Sequence, residues 1–239
     1  MKTTERLLAA AKDIWAAYNE HPFVLGIQNG TLAREKFKYY IIQDYLYLEE
    51  YAKVFALGIA KAKSPETIQL FSKYVTLLTE GEMDIHRGYM GKFAVSREEL
   101  EATPRALDNL SYTSYMLRVA YEEGEAEILA AILSCAYSYE IIARKIVKNN
   151  PAALDHPFYG DWVKGYADPH YSEANVLLLN MTNQLTQHYT EPQLQHLTDP
   201  ILTRHQSKRS FCPLRFLHSM NCRRQSLDFP FRLAVARGI

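Results

Sequence analysis

The chain has 239 residues, 48% hydrophobic and 23% charged, enough for one large domain or two small ones with a substantial core. Lys+Arg and Asp+Glu both number 27, so the net charge is +0 and nothing in the total points to nucleic acid or an anionic membrane as a partner. No stretch approaches the roughly 18 apolar residues of a membrane span, and no long apolar run follows Lys2 and Arg6, so the expectation is a cytoplasmic protein. Leu7, Leu8, Ala11, Ile14, Trp15 and Tyr18 form one apolar stripe and predict a helix over 3–19, stopped by His21-Pro22. A turn follows at 28–32, with Thr31 as N-cap of a long helix running to about Lys63 and interrupted only by Gly58. Ser64-Pro65-Glu66 supplies a cap, an N1 proline and an acidic first turn for a third helix that reaches about Tyr89. Ser96-Arg97-Glu98-Glu99 reads as a capping box opening a short helix. Further helices are expected over 111–121, 125–148, 155–167 and 171–189. No period-2 run bounded by turn residues is present, so the fold class is all-α, a multi-helix bundle.

The last segment differs from the rest. Residues 201–239 hold eight basic residues (Arg204, Lys208, Arg209, Arg215, Arg223, Arg224, Arg232, Arg237) against one acid, Asp228. The expected organisation is therefore a helical domain over 1–200 and an atypical basic tail over 201–239. One reading of the tail is a basic arm for an anionic partner. The other is translation out of frame, and poor order with it. Met220-Asn221-Cys222, read from the third base of each codon, gives Glu-Leu preceded by Tyr, His, Asn or Asp.

Three positions or groups in the helical part carry potential chemistry. Asp44 lies inside the mostly apolar run 37–48, with Tyr47 and Tyr51 at i+3 and i+7 and Tyr40 one turn before it. An acid flanked by rings on one face is either a solvated edge or the polar floor of a cavity, and a buried carboxylate must be paired. Cys135 stands on an apolar helix with Tyr139 at i+4. Such a cysteine is either a small core residue or, with a group that favours the thiolate, a nucleophile. Cys212 and Cys222 complete an odd, sparse set without CxxC spacing, which argues against a disulfide framework or a zinc site. Glu82 and His86 raise the question of a di-metal oxygenase, but that site needs two Glu-x-x-His pairs; this pair is i, i+4 and no second one matches, so no metal is expected. His86 then reads as a packing or hydrogen-bonding residue.

In order along the chain, His21-Pro22-Phe23-Val24, Gly30-Thr31-Leu32, FKYYIIQDYLYL at 37–48, EMDIHRGY at 82–89, SYTSYM at 111–116, AEILAAILSCAYSYE at 126–140 and HPFYGDWVKGYA at 156–167 resemble the TenA/thiaminase II family. The resemblance implies a haem-oxygenase-like bundle assembled as a homotetramer, with no metal or organic cofactor. It implies a thiamine-salvage hydrolase that turns 4-amino-5-aminomethyl-2-methylpyrimidine into the hydroxymethyl pyrimidine and, as a related activity, cleaves thiamine. Carried over residue by residue, it makes Cys135 the nucleophile and gives Asp44 the ring nitrogen and amino group. Tyr47, Tyr112, Tyr139 and Tyr166 would line and orient the ring. The departure is at the end. The family's final helix bears a glutamate that handles proton transfer to the leaving amine, whereas residues 201–239 contain no Glu, so weak or absent turnover with binding partly kept is expected. The alternatives left open are a non-catalytic aminopyrimidine-binding or regulatory protein and, on the same bundle, a di-metal oxygenase.

Overall fold

The computed structural model describes residues 1–206. Residues 207–239, most of the expected basic tail, lie outside the described residues. Eleven α-helices follow in chain order among them: α1 Thr3–Asn19, α2 Pro22–Gln28, α3 Arg34–Lys61, α4 Pro65–Leu77, α5 Met83–Lys92, α6 Arg97–Ala102, α7 Leu107–Glu122, α8 Glu125–Asn149, α9 Gly160–Ala167, α10 Pro169–Leu185 and α11 Glu191–Gln206. No strand occurs among the described residues.

Helix α8 is the axle of the bundle. It packs against α1, α2, α7, α9 and α10, while α3 lies against α4, α5, α7 and α8. Its most apolar stretch is hydrophobic enough, by length and composition, to cross a membrane, but 78% of that window is buried against the other helices. A helix that is apolar all round belongs in the centre of a bundle. Ile128, Leu129, Ile132, Ala143 and Ile146 of α8 are fully covered, and so are Phe37, Tyr40 and Ile41 of α3.

Local signals in the sequence account for several helix starts. Ser64 Oγ accepts from Thr67 N at 3.2 Å, with Pro65 in the first turn. Ser96 Oγ accepts from Glu99 N at 3.1 Å. The reciprocal half of that capping box is replaced: the Glu99 carboxylate reaches Lys38 on α3 at 2.7 Å. Gly30 has φ 68°, and a Cβ there would meet the His156 ring at 2.8 Å. Gly58, the apparent breaker in α3, gives room to Phe71 of α4, which a Cβ would meet at 2.7 Å.

Several expectations change. Thr31 is not the cap of α3; Ala33 holds that position without a side-chain hydrogen bond. His21 does more than stop α1, because its Nδ1 accepts from Phe23 N at 3.2 Å and opens α2 with Pro22 in its first turn. The third helix is not uniform: a π-helical turn at Leu78–Glu82 separates α4 from α5. Helix α7 begins at Leu107 rather than 111, since Gln43 of α3 receives the Ala106 N–H at 2.8 Å. The expected helix over 155–167 begins only at Gly160, as α9, and a 3-10 turn at Pro151–Asp155 precedes it. Helix α11 was not foreseen, and it crosses the expected boundary at residue 200. Its sequence is largely polar; it is held to α1 by Arg6, which pairs with Glu191 at 2.5 Å and reaches Gln195 at 2.6 Å, and its Leu197 is buried in the core.

Candidate active site

A cavity of about 380 Å³ opens between α3, α4, α8, α9 and α10, within the size range of small-molecule sites. Each helix contributes through its period. Helix α3 presents Asp44, Tyr47 and Tyr51, spaced three and four apart, and α8 presents Cys135, Ala136 and Tyr139. Helix α9 adds Tyr166, α10 adds Tyr171 and Asn175, and the π-helical turn adds Leu78 and Glu82. A π-turn places one extra residue in a helix and re-aims the side chains beside it; such turns recur at functional sites.

Asp44 forms the floor and is 1% exposed. Its Oδ2 accepts from Tyr40 Oη at 2.9 Å and lies 2.8 Å from His86 Nε2, while Oδ1 accepts from Tyr139 Oη at 3.3 Å. The Trp162 indole donates to Tyr40 Oη at 3.1 Å and fixes that hydroxyl from behind. The other His86 nitrogen, Nδ1, sits 2.8 Å from the Glu82 carbonyl. Burial on its own pushes the His86 imidazole down, but the hydrogen bond to Asp44 and the charges of Asp44 and Glu82 outweigh it and leave the group raised.

Cys135 is buried beside Tyr47, whose hydroxyl donates to Sγ at 3.2 Å. Burial first, and then the neighbouring thiol, hold the Tyr47 phenol well above its usual range, so it stays a proton donor at any ordinary pH. Tyr166 donates to Glu82 Oε1 at 2.6 Å. Burial and the nearby Asp44 charge push the Glu82 carboxyl up to about 7, against the pull of His86 and the Tyr166 hydrogen bond.

Asp44, Cys135, Tyr47, Tyr139 and Tyr166 share this one cavity. Tyr112, expected to line the ring, is not among the residues that line the cavity. It stacks behind Tyr47 with centroids 5.7 Å apart and planes 8° from parallel, and buttresses that ring instead. Tyr139 and Tyr166 stack at 4.5 Å. His86 is hydrogen-bonded through both nitrogens, as read from the sequence, but its partner is Asp44 and not the bulk of the core. Glu82, Tyr171 and Asn175 were missed as cavity residues. The i, i+4 spacing of Glu82 and His86 is a sequence signal for Glu82 alone, and none marks Tyr171 or Asn175. Among the described residues no group of three or more His, Cys, Asp or Glu side chains is placed to hold a metal ion.

The profile of the TENA/THI-4/PQQC family matches residues 8–214. The chain belongs to that family. Family relatives named aminopyrimidine aminohydrolase include one from Helicobacter pylori, 39% identical over 203 residues, which are 85% of this chain and 93% of that protein. Another, from Halalkalibacterium halodurans, is 38% identical over 220 residues, 92% of this chain and 98% of the relative. Among solved family structures, a TenA family transcription regulator from Silicibacter sp. TM1040 superposes with TM-score 0.76 at 28% identity, covering 84% of this chain and 91% of its own. A TenA homologue from P. horikoshii OT3 gives TM-score 0.74 at 26% identity, over 85% and 94%. The family assignment reaches residue 214, past the expected start of the tail at 201.

Proposed function

We propose that this protein is an aminopyrimidine aminohydrolase of thiamine salvage. It converts 4-amino-5-aminomethyl-2-methylpyrimidine and water into the hydroxymethyl pyrimidine and ammonia, with cleavage of thiamine as the related activity. The observation that carries the reading is the meeting of Cys135 and Asp44 in one tyrosine-walled cavity of about 380 Å³, on a chain similar along most of its length to proteins of that name.

In this reading the flat ring lies between the tyrosine faces. Asp44 takes the edge formed by a ring nitrogen and the exocyclic amino group. The Cys135 thiolate forms a bond to a ring carbon. The returning electron pair then expels the side arm, which enters in its ammonium form, as ammonia; water adds at the exposed methylene carbon and gives up a proton to solvent, and the thiolate departs. Tyr47 fits the step that needs a stabilised sulfur anion, because a hydroxyl donating to Sγ favours thiolate over thiol. A cytoplasmic homotetramer accompanies the reading, and light scattering on the purified chain tests the assembly.

Incubation of the purified protein with the aminomethyl pyrimidine tests the activity. Ammonia and hydroxymethyl pyrimidine should appear in equal amounts, and Cys135→Ser should stop both. Tight binding without ammonia would instead make the protein a non-catalytic pyrimidine binder.

A further inference from the structure

The hydrogen bonds around His86 fix more than its position. A backbone carbonyl only accepts, so the 2.8 Å contact between Nδ1 and the Glu82 carbonyl places a proton on Nδ1. In a neutral ring Nε2 would then be bare. It faces Asp44 Oδ2 at 2.8 Å all the same, and that oxygen, when ionised, also only accepts. One further proton must lie between them. While it does, Oδ2 is fully engaged by His86 and by the Tyr40 hydroxyl at 2.9 Å. The atom that can meet a ligand is Oδ1, which accepts from Tyr139 at 3.3 Å and retains a second lone pair. A proton on Oδ1 would be a second one held by the same buried pair, so Oδ1 offers the cavity an acceptor and no donor.

We propose that His86 is a positioning residue that keeps Asp44 ionised, so that the cavity takes its aminopyrimidine with the ring nitrogen protonated, as a flat amidinium-like edge of two N–H donors. The inference rests on the aminopyrimidine reading above and adds the charge state of the ligand. The proton stays on the ring nitrogen while Asp44 remains an anion, and the imidazolium balances that anion. His86 lies nearer to Asp44 than to a ring bound across Oδ1, so its charge disfavours a proton on the carboxyl more than one on the ring. The neighbours allow this. Tyr40 from α3, Tyr139 from α8 and Tyr166 from α9 are held well above their usual range, chiefly by burial, and stay neutral. Cys135 of α8 sits further along the same wall beside Tyr47. Lys164 of α9 is at the rim, 3.6 Å from Asp155 and largely exposed. Glu82 changes charge near neutrality, but its backbone carbonyl holds Nδ1–H in either state.

Two measurements test this, and neither needs turnover. Nitrogen-15 NMR of the ligand-free protein, labelled at histidine and assigned with His86→Gln, should show both His86 nitrogens protonated at pH 7. A neutral imidazole there overturns the proposal and leaves the aminopyrimidine reading standing. The second is the ultraviolet spectrum of bound 4-amino-5-hydroxymethyl-2-methylpyrimidine, whose protonated and neutral rings absorb differently. In the wild type the ring should absorb as the cation at pH 7 and keep its proton at least about one pH unit above the free compound, as expected for an opposite charge at hydrogen-bond distance. His86→Gln keeps an N–H for Asp44 but no charge, and the spectrum should revert toward the neutral ring. A neutral-ring spectrum in the wild type, or an unchanged spectrum in His86→Gln, overturns the proposal. Failure of the pyrimidine to bind would sink it together with the reading beneath it.

Discussion

The Tyr47 hydroxyl donates to Cys135 Sγ across 3.2 Å, although the two residues stand 88 positions apart and on different helices. The contact depends on a stack: Tyr47 is held between Tyr51 at 5.1 Å and Tyr112 at 5.7 Å, ring on ring. Replacing Tyr47 by Phe keeps the stack and removes only the donor. Ammonia release should fall about tenfold, and the pH at which the thiol becomes reactive to a small alkylating agent should rise. Iodoacetamide labelling of Cys135 against pH checks this. Net stability should change by only about 1 kcal/mol, the usual worth of one buried hydrogen bond.

Tyr112 gives the complementary case. It lies behind Tyr47, outside the cavity wall, with its hydroxyl 3.4 Å from the Ala131 carbonyl. Tyr112→Ala should destabilise the fold by about 3 kcal/mol or more through the cavity it leaves, measured by urea denaturation. Tyr112→Phe should be near neutral in stability and leave the KM for the pyrimidine almost unchanged. A large rise in KM for Tyr112→Phe would mean that the hydroxyl meets the ligand after all.

Glu82 and His86 together predict how stability depends on pH. Both bind their proton more tightly in the folded chain, Glu82 moving from 4.5 to about 7 and His86 upward from 6.5. A group raised in the folded state contributes its stabilisation fully below its unfolded value and loses it as the pH climbs through the folded one. Unfolding free energy should therefore decline as the pH rises from about 4.5 through 7, by an amount on the order of 3 kcal/mol for Glu82. Glu82→Gln should flatten that slope in denaturant titrations at a series of pH values. An equally steep decline in the variant would assign the effect to other groups.

Breaking the Asp44–His86 pair should be costly because both side chains are 1% exposed. Asp44→Asn strips the imidazolium of its counter-charge and is expected to destabilise the protein by about 3 kcal/mol or more, as removal of one partner of a buried pair usually does. Thermal unfolding of Asp44→Asn and of the double variant Asp44→Asn/His86→Gln separates the causes. The double variant should recover part of the loss, since no charge is then left alone.

The basic segment supplies a test of its own. Residues 201–239 contain no Glu, whereas the family resemblance implies a proton-transfer glutamate on a final helix. Replacing 201–239 by the corresponding segment of a family member that has the glutamate should raise ammonia release by about a hundredfold or more, the ordinary contribution of a general acid. Binding of the hydroxymethyl pyrimidine should tighten less. Equal turnover in the two proteins would show that the segment has no part in the chemistry.

What the amino-acid order determined by itself is local. Apolar residues at intervals of three and four make α1, α3 and α8 legible, and Ser64-Pro65 and Ser96 mark helix starts, because a cap or a stripe needs only near neighbours in the chain. The same periodicity put Asp44 with Tyr47 and Cys135 with Tyr139 on single faces, and left open whether either face meets core or cavity. The tertiary structure decided that α3 and α8 turn those faces toward one hollow. It decided that His86 pairs with Asp44 across 42 positions, that Gln43 starts α7 from α3, and that the polar α11 is a helix because Leu197 and Arg6 give it a place to dock. The π-turn at Leu78–Glu82, which aims Glu82 into the site, belongs to the same class. Each of these depends on partners remote in sequence, and a periodic pattern carries no information about which remote face it will meet.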